Sequence, residues 1–185
     1  MGCFIGDWLC LLSPLTWTIS DQRVQLFLWK ENNVPFDLSI NDPILKHIPK
    51  IAAKFPKLKM VIDHLAKAEV NKGEDYLQGW KNITTEISKF PNVYMKLSGL
   101  GTYFGYPSQE IFKPYVEHSV KVFGAQRCMF ASDWPVCRLA RNTKEIDYDF
   151  DYGDCLKLLQ SLTSHLTEEE QKAIFHDTVV NFYNL

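Results

Sequence analysis

Phe36, Leu38 and Ile40 alternate with Asp37 and Ser39, the period of two that marks a half-buried strand over residues 34–40. The period then changes. Ile44, Leu45, Ile48, Ile51, Ala52 and Phe55 recur at helical spacing, one stripe facing a core. Asn41-Asp42-Pro43 supplies the start, with Asp42 as N-cap and Pro43 in the first helical position, while Pro49 must kink this helix or delay its true beginning. Strand follows helix three times more. Residues 59–64 and 93–99 form the second and third strands. The helix of 76–90 lies between them, with Trp80, Ile83 and Ile87 in register. A helix over 110–123, interrupted by Pro114 and closed by Gly124, leads to a fourth strand at 127–131. The tail is helical: Thr167-Glu168-Glu169-Glu170 is a capping box, and Ala173, Ile174, Val180 and Phe182 supply the buried side. Strands alternating with helices of this length predict parallel β-α-β units and an α/β fold.

Residues 1–20 break this rhythm. Trp8 to Trp17 is mostly apolar, but no basic residue precedes it and Asp7 interrupts it, so it makes a poor signal peptide and is too short for a membrane span. Met1-Gly2-Cys3 suggests acylation, yet Gly6 stands where Ser or Thr belongs. The chain therefore divides into an apolar leader, 1–20, and a domain, 21–185, which opens with a short helical stretch at Val24, Leu26, Phe27 and Leu28. At 185 residues, 46% of them hydrophobic, one core is the expectation. A formal net charge of -2 leaves no basic footprint, so nucleic acid is not an expected partner, nor is a membrane. Five cysteines, Cys3, Cys10, Cys128, Cys137 and Cys155, form no Cys-x-x-Cys pair, which points to a reducing, cytoplasmic setting. The acidic run from Asp147 to Asp154 fails as a calcium loop: Gly153 comes one place late and Leu158 replaces the bidentate Glu. It reads as a solvated loop.

Candidate chemistry lies at the strand ends. The second strand closes on Asp63-His64, the third on Lys96-x-Ser98-Gly99, and the fourth on Ser132-Asp133-Trp134-Pro135. In a parallel sheet these ends share one rim, where α/β folds gather their ligands. Asp133 alone could merely cap a turn. A histidine, a cation and a carboxylate converging on one rim make a functional site the stronger reading.

Three segments carry a family resemblance. Val61-Ile62-Asp63-His64-Leu65-Ala66-Lys67 resembles V-L-D-H-L-G-K of the amidohydrolase-related (amidohydrolase 2) family. Val93-Tyr94-Met95-Lys96-Leu97-Ser98-Gly99-Leu100 is similar to its V-Y-C-K-L-S-G-L, and Met129 to Cys137 to M-F-G-S-D-W-P-V-C. Phe175 through Tyr183 is similar to the closing helix. Together they point to the sugar-lactone hydrolase branch, the fuconolactonases and rhamnonolactonases, from about residue 22 onward.

The resemblance implies the C-terminal half of a (β/α)8 barrel, about four parallel strands with their helices. It implies a sugar lactone as substrate, with Asp133 activating water and His64 as its catalytic companion. Lys96, Ser98 and Trp134 become candidate substrate contacts. Where members use a divalent metal such as zinc, His64 and Asp133 are the candidate ligands; other members use none. The family's His-x-His, from its first strand, occurs nowhere in this sequence, and Ala66 and Ala68 stand where the family has Gly and Pro. Two readings follow: a lactonase-type hydrolase, or a catalytically impaired truncated form that acts by self-association or by joining a complementary half-barrel. A half-barrel is expected to leave two open strand edges and an apolar inner face from Phe36, Ile62, Tyr94 and Met129. A closed doubly wound sheet is the remaining architectural alternative.

Overall fold

A computed structural model describes residues 34–100, 108–137 and 150–185. The leader and the stretch at 24–28 lie outside these residues, as does the start of the acidic run. Four short strands, β1 (Phe36–Leu38), β2 (Met60–Ile62), β3 (Val93–Leu97) and β4 (Cys128–Phe130), form one sheet in the order β1-β2-β3-β4. Every pairing is parallel, with Asp37 opposite Val61, Val61 opposite Tyr94, and Lys96 opposite Met129. The strands are shorter than the apolar runs suggest, because the chain turns sharply beyond their C-terminal ends.

The helices follow the sequence pattern with shifted bounds. α1 (Asp42–Leu45) starts one residue early, with Asn41 rather than Asp42 at the N-cap. Pro49 delays the continuation, so α2 (Ile48–Lys54) begins afresh with that proline in its first turn, where no amide donor is missed. α3 (Glu74–Ser88) packs against α4 (Gln109–Phe123), which runs unbroken through Pro114 and ends at Gly124 with φ +77°. α5 (Tyr152–Leu162) takes its first three residues from the end of the run read as an acidic loop; Asp151 and Asp154 form its reciprocal capping box. Thr167 and Glu170 cap α6 (Glu168–Lys172) as expected. A π-turn over Ala173–Asp177 then leads to α7 (Thr178–Tyr183).

The main core lies between one sheet face and the helices. Met60, Ile62, Met95, Leu97 and Cys128 meet Leu45, Ile48, Trp80, Ile87, Tyr115, Phe123, Leu159 and Ile174 there. Phe36 packs against the same core, so Phe36 and Ile62 do not belong to the inner face as anticipated. Parity in the parallel register puts Asp37, Val61, Tyr94, Lys96 and Met129 on the other face, which is therefore mixed in polarity. α7 covers part of it: Phe182 is fully buried with Val61 and Met129, edge-on to Tyr94 at 4.8 Å. A doubly wound sheet needs a reversal of strand order and helices on both faces. A monotonic order with α1 to α5 on one face is instead an arc of a β/α barrel.

The N-terminal ends of the strands are tied by polar side chains. The Asn92 amide donates to the carbonyls of Phe55 and Leu58, 3.0 Å each. The Arg127 guanidinium donates to Phe123, Ser88, Phe90 and Val93 carbonyls at 2.9–3.2 Å. That accounts for carbonyls which the turns between α3, β3 and β4 would otherwise leave without partners.

Beyond β2 the chain does something costly. His64, Leu65, Ala66 and Lys67 have φ of 55°, 49°, 59° and 51°, one turn of left-handed helix without a glycine. Each such residue costs roughly 1–2 kcal/mol. The Ala66 N–H returns to the Asp63 carbonyl at 2.9 Å, and Leu65, Ala66 and Ala68 are buried. A glycine at the position of Ala66, as in the family segment that residues 61–67 resemble, would suit this conformation without strain. Ala66→Gly is expected to raise stability by roughly 0.5–1 kcal/mol, the relief of strain being partly offset by unfolded-chain entropy. Urea denaturation measures it; a loss of stability would contradict the strain.

Candidate active site

His64 leaves β2 on that left-handed turn, Ser98 follows β3 and Asp133 follows β4, so three neighbouring strand ends each supply one group. The His64 imidazole lies 2.8 Å from Ser98 Oγ through Nδ1 and 3.5 Å from Asp133 Oδ1 through Nε2. Both site side chains are nearly enclosed, at 14% and 11% exposure. The second distance is at the outer limit of a hydrogen bond, close enough for one oxygen atom to lie within reach of both groups. Burial lowers the His64 pKa below its usual 6.5. Asp133 and Asp63 pull it back up without prevailing, and Lys96 and Lys67 push it further down. The ring is therefore neutral near pH 7. With Nε2–H toward the carboxylate, Nδ1 accepts from the Ser98 hydroxyl.

Asp133 has φ +59°, a left-handed conformation that Asp tolerates better than most residues. Its neighbours hold the turn. The Cys137 N–H donates to the Asp133 carbonyl at 2.9 Å, the Trp134 N–H to Ser132 Oγ at 3.1 Å, and the Cys155 thiol to the Ser132 carbonyl at 3.3 Å. Trp134 stands at the rim, 58% exposed.

Lys96 sits elsewhere, on the inner face below the rim. Its ammonium is 2.5 Å from Asp37 Oδ2 and 2.9 Å from Asp63 Oδ1. The Asp63 contact is one of charge without an aligned hydrogen bond, since Oδ1 finds no such partner. Burial works to lower the Lys96 pKa, but Asp63 and Asp37 outweigh it and raise it, so the group stays charged. The Tyr183 hydroxyl lies 2.7 and 2.8 Å from the two Asp37 oxygens, and burial raises its pKa. Of the expected site residues, His64, Ser98 and Asp133 thus come together. Lys96 is engaged by two carboxylates, Ser98 is buried behind the imidazole, and Trp134 flanks Asp133. Asp37, Asp63 and Tyr183 were not singled out from sequence. A carboxylate at an inward parity of β1 was the signal available for Asp37.

A zinc site normally takes three or four protein ligands. Among the described residues no group of three or more His, Cys, Asp or Glu side chains could hold an ion. His64 and Asp133 supply two donors, so the described residues do not by themselves fit a metal. Also among the described residues, no helix is long and apolar enough to cross a membrane.

Comparison with known proteins agrees with this architecture. An L-fucono-1,5-lactonase of Burkholderia ambifaria is 31% identical over 156 residues, covering 83% of this chain and 51% of that protein. An L-rhamnono-gamma-lactonase of Scheffersomyces stipitis is 28% identical over 191 aligned residues, 91% of this chain and 55% of the other. The crystal structure of a Burkholderia multivorans amidohydrolase with bound zinc matches with a TM-score of 0.77 at 25% identity, over 86% of this chain and 56% of that one. The chain spans about half the length of these relatives. The family model described as Amidohydrolase matches residues 28–185, the four strands and their rim included, and the chain belongs to that family.

Proposed function

We propose that this chain carries the C-terminal half of a hydrolase site for sugar lactones. Asp133 takes a proton from water as the water attacks the ester carbonyl of the ring, and neutral His64 holds that water or the carbonyl oxygen through Nε2. The acyl C–O bond of the ring then breaks, and the departing oxygen takes the proton back from Asp133. The observation that carries the reading is the approach of Asp133 and His64 at one strand-end rim. Similarity to an L-fucono-1,5-lactonase and an L-rhamnono-gamma-lactonase supports the choice of substrate. Trp134 stands exposed beside Asp133, and its apolar face suits the ring carbons of a sugar. Lys96 supports the site from below by fixing Asp63, the residue before His64.

A second reading, association with a further chain, is favoured by the sheet itself. β1 and β4 each have a strand neighbour on one side only among the described residues, and open parallel edges invite pairing. The partner is a second copy or a complementary half-barrel, and catalysis by the chain alone is then slow, because groups acting as a unit lose orders of magnitude when separated.

Three measurements bear on these readings. A pH-stat assay on fucono-, rhamnono- and galactono-lactones is expected to show hydrolysis that Asp133→Asn lowers at least about a hundredfold, since an amide cannot accept the proton. Equal rates would remove Asp133 from the chemistry. Because the His64 pKa is depressed, its neutral form persists as pH falls through 6.5. The rate is expected to hold through that value and to drop only at more acid pH, whereas an acid limb at or above 6.5 would oppose a role for the buried neutral ring. Light scattering on the purified protein is expected to give a mass above 21.5 kDa; a stable monomer with a cooperative melt would defeat the association reading.

A further inference from the structure

The left-handed turn that presents His64 has a partner outside the rim. Trp80, in the middle of the outer helix α3, donates its indole Nε1–H to the Leu65 carbonyl at 3.1 Å, and this contact is buried. The indole itself is 1% exposed and held edge-on by Tyr115 at 4.9 Å and His118 at 5.8 Å. Its direction is thereby fixed, and with it the direction of the N–H. Leu65 is the residue immediately after His64 and the second of the four left-handed residues. A carbonyl in that conformation points differently from the same carbonyl in extended or right-handed backbone. A fixed donor on it therefore selects the turn.

We propose that Trp80 is a positioning residue for His64. Its indole N–H holds the Leu65 carbonyl and so keeps the left-handed turn that aims the imidazole between Ser98 and Asp133. The proposal rests on His64 being a site residue, as read above. The indole does not touch the imidazole; it acts through the backbone. Ala66 makes the device necessary. With glycine at that position the turn is populated with less help, and with alanine the conformation has to be held from outside.

The test is a cycle of variants read at the imidazole. Trp80→Phe removes the donor and some ring volume. Site-specific replacement of Trp80 by β-(3-benzothienyl)alanine exchanges the N–H for sulfur and keeps the ring shape. Each is made with Ala66 and with Ala66→Gly. The readout is the carbon-bound proton resonance of the His64 ring in heteronuclear NMR, assigned by its loss in His64→Gln, with exposed His165 and His176 as internal controls. In the alanine background both changes at position 80 are expected to shift the His64 resonance and leave the two controls in place. In the Ala66→Gly background the displacement is expected to be smaller, because glycine relieves one of the four left-handed residues and the turn leans less on the indole. An unshifted His64 resonance in the benzothienyl variant overturns the proposal. So does a displacement that Ala66→Gly leaves undiminished, and so does failure of the benzothienyl variant to fold, which would make the N–H a requirement of the core and not of the turn. The imidazole is read directly, so a chain without lactonase activity fails the functional reading and leaves this result standing.

Discussion

A charged lysine inside a sheet is tolerated only if its surroundings return what water would have given it. Lys96 meets that condition through Asp37 on β1 and Asp63 after β2, and Tyr183 of α7 closes the cluster by reaching Asp37. Three strands and the closing helix thus share one set of partly buried contacts. Taking away Lys96 would leave Asp37 and Asp63 without their shared cation, and breaking such a pair typically costs more than the pair contributes. The rim depends on this layer, since Asp63 directly precedes His64 and also faces its ring electrostatically.

The two layers divide the work by chemistry. Below the rim, one ammonium is shared between two carboxylates. At the rim, a neutral imidazole stands between a hydroxyl and a carboxylate. Among the described residues, the turn that holds Asp133 is braced by backbone N–H groups and by the Cys155 thiol.

Much of this was legible in the residue pattern. Alternation at Phe36-Asp37-Leu38 and the apolar runs at residues 60–62 and 128–130 mark strands wherever they stand, and the Thr167–Glu170 capping box is a local device with a local signature. The meeting of His64 with Asp133 followed from parallel strands alone. Other features depended on tertiary context. Asp151-Tyr-Gly-Asp154 was too polar to suggest α5, although its two carboxylates are the cap of that helix. Which acid Lys96 would meet could not be read from the sequence, because Asp37 lies fifty-nine positions away. The side on which Ile62 points is set by register, which hydrophobicity cannot reveal in a strand buried on both faces. Nor does any single residue announce a left-handed turn built from histidine, leucine, alanine and lysine.

The buried thiols give the fold a built-in clock. Cys128 in β4, Cys137 in the turn after it and Cys155 in α5 are all enclosed, and burial pushes the Cys128 thiol up to about 12. Only the thiolate reacts readily with alkylating reagents. A reagent therefore marks each cysteine chiefly when its surroundings open. Mass-resolved alkylation would time the excursions of the β4 edge against those of the helix beside it, residue by residue and without an introduced label.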